Sequence, residues 1–126
     1  MKFHHISITV KSLKDSIKFY TEVFNFKLIS EFSKKETDSK FAYLKSDNLI
    51  IELWEFNKPS PSQDDLSDLK LIGYGHIAFS SKSVEKEVER LNKLGLNFST
   101  VKLGVSGKKY SIGSDINNIS IEIIEE

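Results

Sequence analysis

The sequence predicts an α+β protein built from two copies of one β-α-β-β-β module. Three observations lead there. Each half of the 126-residue chain runs from a short apolar strand into an amphipathic helix and then into three strand-like segments. A shift of 71 positions lays His5 on His76, Ile6 on Ile77, Lys11 on Lys82, Ser12 on Ser83 and Ile17 on Val88. A polar connection holding both prolines, 57–70, separates modules 1–56 and 71–126. A repeat of this kind limits the topology more than any single helix does.

The first strand is expected over 3–10, FHHISITV. In the following segment Ser12 suits an N-cap with Asp15 three residues on, and Leu13, Ile17, Tyr20 and Phe24 fall at helical spacing. Asn25 suits the left-handed residue that ends a helix. Strands are expected over 26–33, 40–46 and 49–56, with Asp47-Asn48 as the tight turn between the last two. In the second half GYGHIAFS reads as a strand and Ser83 as a cap. Val84, Val88, Leu91 and Leu94 form the apolar stripe, and Gly95 ends the helix. Strands over 97–103, 108–113 and 119–125 complete the module.

Composition excludes several functions. Acidic and basic residues balance at 18 each, so no net field favours nucleic acid or an anionic membrane, and Arg90 is the only arginine. There is no cysteine, which removes disulfides, thiolate metal sites and a cysteine nucleophile. MKFHHIS lacks the apolar run of a signal peptide, and no apolar stretch reaches membrane-spanning length. A cytoplasmic protein acting on a small molecule is expected, with no nucleic acid and no membrane as partner.

Four side chains stand out against the apolar strands. Glu52 lies within LIIELW and Glu122 within ISIEII. A lone buried carboxylate is costly enough that it must be paired, protonated or bound to a metal. His5 precedes Glu52 by 47 positions and His76 precedes Glu122 by 46, so each module offers one imidazole and one carboxylate. Two of each suit a borderline divalent ion such as Zn²⁺, Ni²⁺, Co²⁺, Mn²⁺ or Fe²⁺. Without thiolates, and with room for water ligands, such a site reads as catalytic. Strand alternation puts His5, Ser7 and Thr9 on one face and His4, Ile6, Ile8 and Val10 on the other. His5 is therefore the ligand candidate, and His4 is expected to be a partly exposed, packing histidine. Lys34-Lys35 and Lys108-Lys109 read as solvated loop charges, while Trp54 and Phe56 share the face of Glu52.

HHISITVKSLKDSIKFYTEVFNF, GYGHIAF and KSVEKEVERLNKLG, with IELWEF and SDINNISIEII closing the halves, resemble the vicinal oxygen chelate superfamily of glyoxalases, bleomycin-resistance proteins and dioxygenases. The resemblance covers nearly the whole chain and implies a single domain, an eight-stranded cup-shaped mixed sheet with helices outside, and a homodimer. The four-residue set is similar to that of glyoxalase I, the lactoylglutathione lyases. It implies that His5, Glu52, His76 and Glu122 bind a divalent metal, that Glu122 or Glu52 moves the proton, and that an enediolate is stabilised. Asparagine stands for the usual glycine at Asn25 and again in the Asp115-Ile116-Asn117-Asn118 turn. Thr9 and Phe56 replace an arginine and an asparagine that commonly hold glutathione. A low-molecular-weight thiol is thus implied, with glutathione disfavoured. The other functions implied are a different metal-dependent member, either an acyl thioester epimerase or an antibiotic thiol transferase, or a non-catalytic binder of a hydrophobic compound or antibiotic.

Overall fold

The computed structural model describes residues 1–47, 49–60, 70 and 72–126. The chain divides into two compact units, Met1–Pro61 and Ser62–Glu126. The first holds β1 (Ile6–Thr9), α1 (Leu13–Phe24), β2 (Lys27–Lys34), a 3-10 turn at Lys35–Thr37, β3 (Ser39–Ser46) and β4 (Leu49–Phe56). The second holds β5 (Ile77–Ser81), α2 (Val84–Lys93), β6 (Lys102–Leu103), β7 (Lys109–Ser114) and β8 (Ser120–Glu125). The expected α+β class and its two β-α-β-β-β modules are present as two four-stranded mixed sheets, ordered β1-β4-β3-β2 and β5-β8-β7-β6.

Both helices form where their caps place them, but the buried stripes differ from the reading. Leu94 lies past the end of α2 and is exposed, and α1 buries Ser16 and Phe19 while Ile17 and Phe24 are only partly covered. The Ser12 hydroxyl accepts from the Asp15 backbone N–H, and the Ser83 hydroxyl from that of Lys86. Asn25 ends α1 at φ 56°, the left-handed conformation that asparagine tolerates. At the end of α2 the N–H of Leu96 reaches the Leu91 carbonyl and Gly95 that of Asn92, with Gly95 at φ 87°. A cap contributes about 1 kcal/mol, whereas each fully buried Leu or Ile contributes roughly 1.5–3 kcal/mol. Packing therefore decides the fold. In the first unit α1 lies against β3 and β4, burying Leu13 and Tyr20 with Ala42, Leu44, Ile51 and Leu53. In the second α2 lies against β7 and β8, burying Val84, Val88 and Leu91 with Ile121 and Ile123.

Several boundaries differ from the sequence reading. β1 starts at Ile6 and β5 at Ile77, so His4, His5 and His76 all precede their strands. β6 spans only two residues where 97–103 was expected. The reason is a side-chain clamp: Asn92 Oδ1 accepts the Phe98 N–H at 2.8 Å, and Asn92 Nδ2 donates to the Phe98 carbonyl at 3.3 Å. Phe98 thus adds nothing to a ladder, and at Ser99 only the N–H reaches β7, bonding the Ile112 carbonyl at 2.9 Å. The Ser99 carbonyl accepts the Ser111 hydroxyl, and the Ile112 N–H goes to the Ser99 hydroxyl. The 3-10 turn has no counterpart in the sequence reading. Lys109 sits on β7 and donates to Glu85 at 2.5 Å, so it is not a loop charge. Asp47 takes φ 45°, while its expected turn partner Asn48, and residues 61–69 of the connection, lie outside the described residues.

The Phe98 ring also explains Gly113. A Cβ built on Gly113 would stand 2.6–2.8 Å from three carbons of that ring, closer than van der Waals contact allows. Gly113→Ala should destabilise the protein by about 1–3 kcal/mol, the usual penalty of overpacking. A lowered urea midpoint, partly restored by adding Phe98→Leu, would show it; an unchanged midpoint would mean that the ring moves aside freely.

Candidate metal centre

Parallel pairing of the outer strands sets the geometry of each half. β1 pairs with β4 so that Ser7 faces Glu52, and β5 pairs with β8 so that Ala78 faces Glu122. In each unit the histidine lies two residues before the glutamate's ladder partner, just ahead of the strand. The outcome is the same twice. His5 Nε2 lies 3.5 Å from Glu52 Oε2, and His76 Nε2 lies 3.2 Å from Glu122 Oε2. Both carboxylates are largely shielded, with side chains 11% and 16% exposed, and both imidazoles are 31% exposed. The structure thus brings His5 to Glu52 and His76 to Glu122. Among the described residues no three metal-ligating side chains gather into one group, so each histidine–glutamate pair stands by itself within its unit.

The donors fit a divalent ion. Each half turns one imidazole nitrogen and one carboxylate oxygen toward each other at a spacing a shared cation can bridge, and the chain has no cysteine thiolate to compete.

The two glutamates have different surroundings. The Tyr43 hydroxyl donates to Glu52 Oε1 at 2.6 Å, and Ser7 and Trp54 add further hydrogen bonds. Burial works against the charged form of Glu52, but these donors and the nearby His5 outweigh it and hold the carboxyl below its ordinary value. The same bond, with desolvation and the carboxylate charge, pushes the Tyr43 phenol above its usual range. At the matching register in the second unit Ile112 faces Glu122, where no hydroxyl can donate. There the turn before β8 sets the register: Asp115 Oδ1 accepts from the N–H groups of Asn117 and Ile119, both at 2.8 Å, and Asn118 takes φ 65°.

Tyr43 was missed in the sequence reading, although its signal was there. A two-residue turn at 47–48 pairs position 43 with 52 and 41 with 54, the register the hairpin adopts. His4 was misplaced. It was expected on the opposite face from His5, yet their Nδ1 atoms lie 2.7 Å apart. Both residues precede β1, so strand alternation does not govern them.

Trp54 and Phe56 share the face of Glu52, as expected, and belong to a column of rings. Phe32, Phe41, Trp54 and Phe56 stack in that order with centroids 4.9, 4.3 and 5.5 Å apart. Tyr43 meets Phe41 edge-on at 5.9 Å and His5 at 5.6 Å, joining the column to the His5–Glu52 pair.

The model of the Glyoxalase/Bleomycin resistance protein/Dioxygenase superfamily matches residues 2–123. A lactoylglutathione lyase of Schizosaccharomyces pombe is 28% identical over 143 residues, a match taking in 99% of this chain and 47% of that protein. The chain thus spans about half the length of that relative. A solved glyoxalase family protein from Enterococcus faecalis shares the fold with a TM-score of 0.85 at 22% identity, covering 98% of this chain and 97% of that one. FosX, a fosfomycin resistance protein of Listeria monocytogenes solved with manganese(II) and sulfate, shares it at 0.75 and 23% identity, covering 99% and 92%. No helix among the described residues is long and apolar enough to cross a membrane.

The lowered carboxyl carries a pH signature. A group titrating below its ordinary value when folded stabilises fully above that value, and the contribution is lost as pH falls through the lowered one. Metal-free protein should therefore weaken on acidification. Tyr43→Phe should be about 1–2 kcal/mol weaker at neutral pH, because it strips a charged acceptor of its donor, and should lose less on acidification. Urea midpoints from neutral into acid pH measure both, and parallel curves for the two proteins would refute the link.

Proposed function

The chain belongs to the Glyoxalase/Bleomycin resistance protein/Dioxygenase superfamily, and we propose that it is a metal-dependent glyoxalase I-like lyase. Its substrate would be the hemithioacetal of a small 2-oxoaldehyde and a low-molecular-weight thiol. The observation that supports this most is the duplicated pair: one imidazole nitrogen against one carboxylate, in both units, at equivalent places in the ladder. One unit supplies two protein donors, fewer than a catalytic transition-metal site uses. The full set of His5, Glu52, His76 and Glu122 therefore needs both kinds of unit, from one chain or from two chains of a homodimer.

A divalent ion bound by His5, Glu52, His76 and Glu122 would supply Lewis-acid polarisation of the substrate's oxygens. The proton transfer falls to a carboxylate. Glu52 is clamped by Tyr43 and biased toward its charged form, which suits a fixed ligand. Glu122 faces Ile112 and has no such clamp among the described residues, which suits a base that leaves its resting place, takes the proton from the carbon next to the carbonyl and returns it to the neighbouring carbon. The half-exposed ring column beside Glu52 suits the apolar part of the substrate. Thr9 and Phe56, standing where related enzymes carry glutathione-holding side chains, favour a different thiol.

A second reading is a metal-dependent enzyme that acts on an antibiotic, such as a thiol transferase. The fold shared with a manganese-bound fosfomycin resistance protein is what favours an antibiotic substrate. Assays of methylglyoxal–thiol adducts against fosfomycin separate the two. For the lyase, freshly purified protein should carry a divalent ion and lose turnover on EDTA treatment. Glu122→Gln should cut turnover by about 10²- to 10⁴-fold, the usual contribution of a general base. Full activity in the chelated protein, or in Glu122→Gln, would overturn the assignment.

A further inference from the structure

We propose that His4 is a positioning residue that lets His5 change tautomer when a cation arrives, an inference that rests on the metal-centre reading above. The two rings meet edge to face at 82° with centroids 5.0 Å apart, and their Nδ1 atoms lie 2.7 Å apart. Tyr43 stands edge-on to both, so the pair rests on an aromatic floor already tied to Glu52.

A hydrogen bond between two imidazole Nδ1 atoms requires a proton on one of them and a lone pair on the other. What His5 offers at Nδ1 depends on its far nitrogen. Facing the bare carboxylate of Glu52, Nε2 is best protonated, and Nδ1 then accepts. Facing a cation, Nε2 must give its lone pair, and the ring proton moves to Nδ1, which then donates. His4 answers both states, because a neutral imidazole carries one donor and one acceptor nitrogen and its exposed ring exchanges protons with water. His4 donates in the first state and accepts in the second.

The His76–Glu122 pair lacks this device. Among the described residues His76 Nδ1, which is buried, has no hydrogen-bond partner. When His76 Nε2 gives its lone pair, the displaced proton lands on a nitrogen with nothing to accept it, and an unmet buried donor is unfavourable. His5 is thereby the stronger of the two imidazole ligands, and His4 is the reason.

The test is Zn²⁺ affinity, measured on the full chain by competition with a chromophoric chelator, for wild type, His4→Leu, His4→Asn and His5→Gln. The tautomer of His5 is read in parallel by long-range ¹H–¹⁵N NMR, and thermal melts confirm folding. An asparagine amide oxygen stands near the place of a histidine Nδ1 and can accept. The expected result is a loss of about 10- to 100-fold in His4→Leu, the usual effect of removing a ligand's supporting partner, with most of it recovered in His4→Asn. In wild type the His5 proton should move from Nε2 to Nδ1 on adding Zn²⁺. If His5→Gln loses binding but His4→Leu keeps wild-type affinity, the role of His4 is overturned while the metal centre stands. If wild type and His5→Gln bind Zn²⁺ equally weakly, the metal centre itself fails and His4 falls with it.

Discussion

The parallel ladder joining the first and last strands of each unit is the constraint on which the candidate centre depends. It fixes Ser7 opposite Glu52 and Ala78 opposite Glu122, and so carries each preceding histidine to a carboxylate 47 or 46 positions away. The register is enforced by cost. Ile51 and Leu53 flank Glu52, and Ile121 and Ile123 flank Glu122, all four buried. A slip of one residue would turn a carboxylate into that apolar layer and expose two aliphatic side chains in exchange. The helices supply the layer, so α1 and α2 take part in the centre without contributing a ligand.

Duplication gave the chain two copies of one device, and sequence divergence then set them apart. Around Glu52 lie a phenol, a serine, an indole and a pair of touching imidazoles, which together hold the carboxylate in one charged pose. Around Glu122 lie Ala78 and Ile112, and its histidine has a buried nitrogen left unmet among the described residues. Under the proposed reading the first half anchors and the second moves. Such an unequal pair suits chemistry in which one acid anchors and the other moves.

Much of this architecture was legible in the sequence because it rests on local rules. Ser12, Ser83, Asn25 and Gly95 mark helix ends through backbone chemistry that needs no tertiary context. The repeat exposed both histidine–glutamate frames. What escaped depended on contacts between distant residues. Nothing near Phe98 signals that Asn92 will occupy its backbone and shorten β6. His4 was misread for a subtler reason, since alternation holds only inside a ladder and the ladder begins one residue beyond His5. Tyr43 could have been found by carrying the hairpin turn through to its register.

The ring column has an optical consequence. Trp54 is the sole tryptophan of the chain and lies between Phe41 and Phe56, beside Glu52 in the ladder. All indole fluorescence therefore originates in the first unit, and the second is silent at that wavelength. Unfolding of the two halves can be told apart by comparing tryptophan emission with far-ultraviolet circular dichroism, without introducing a label. A change in the electrostatics of Glu52 reaches the fluorophore directly.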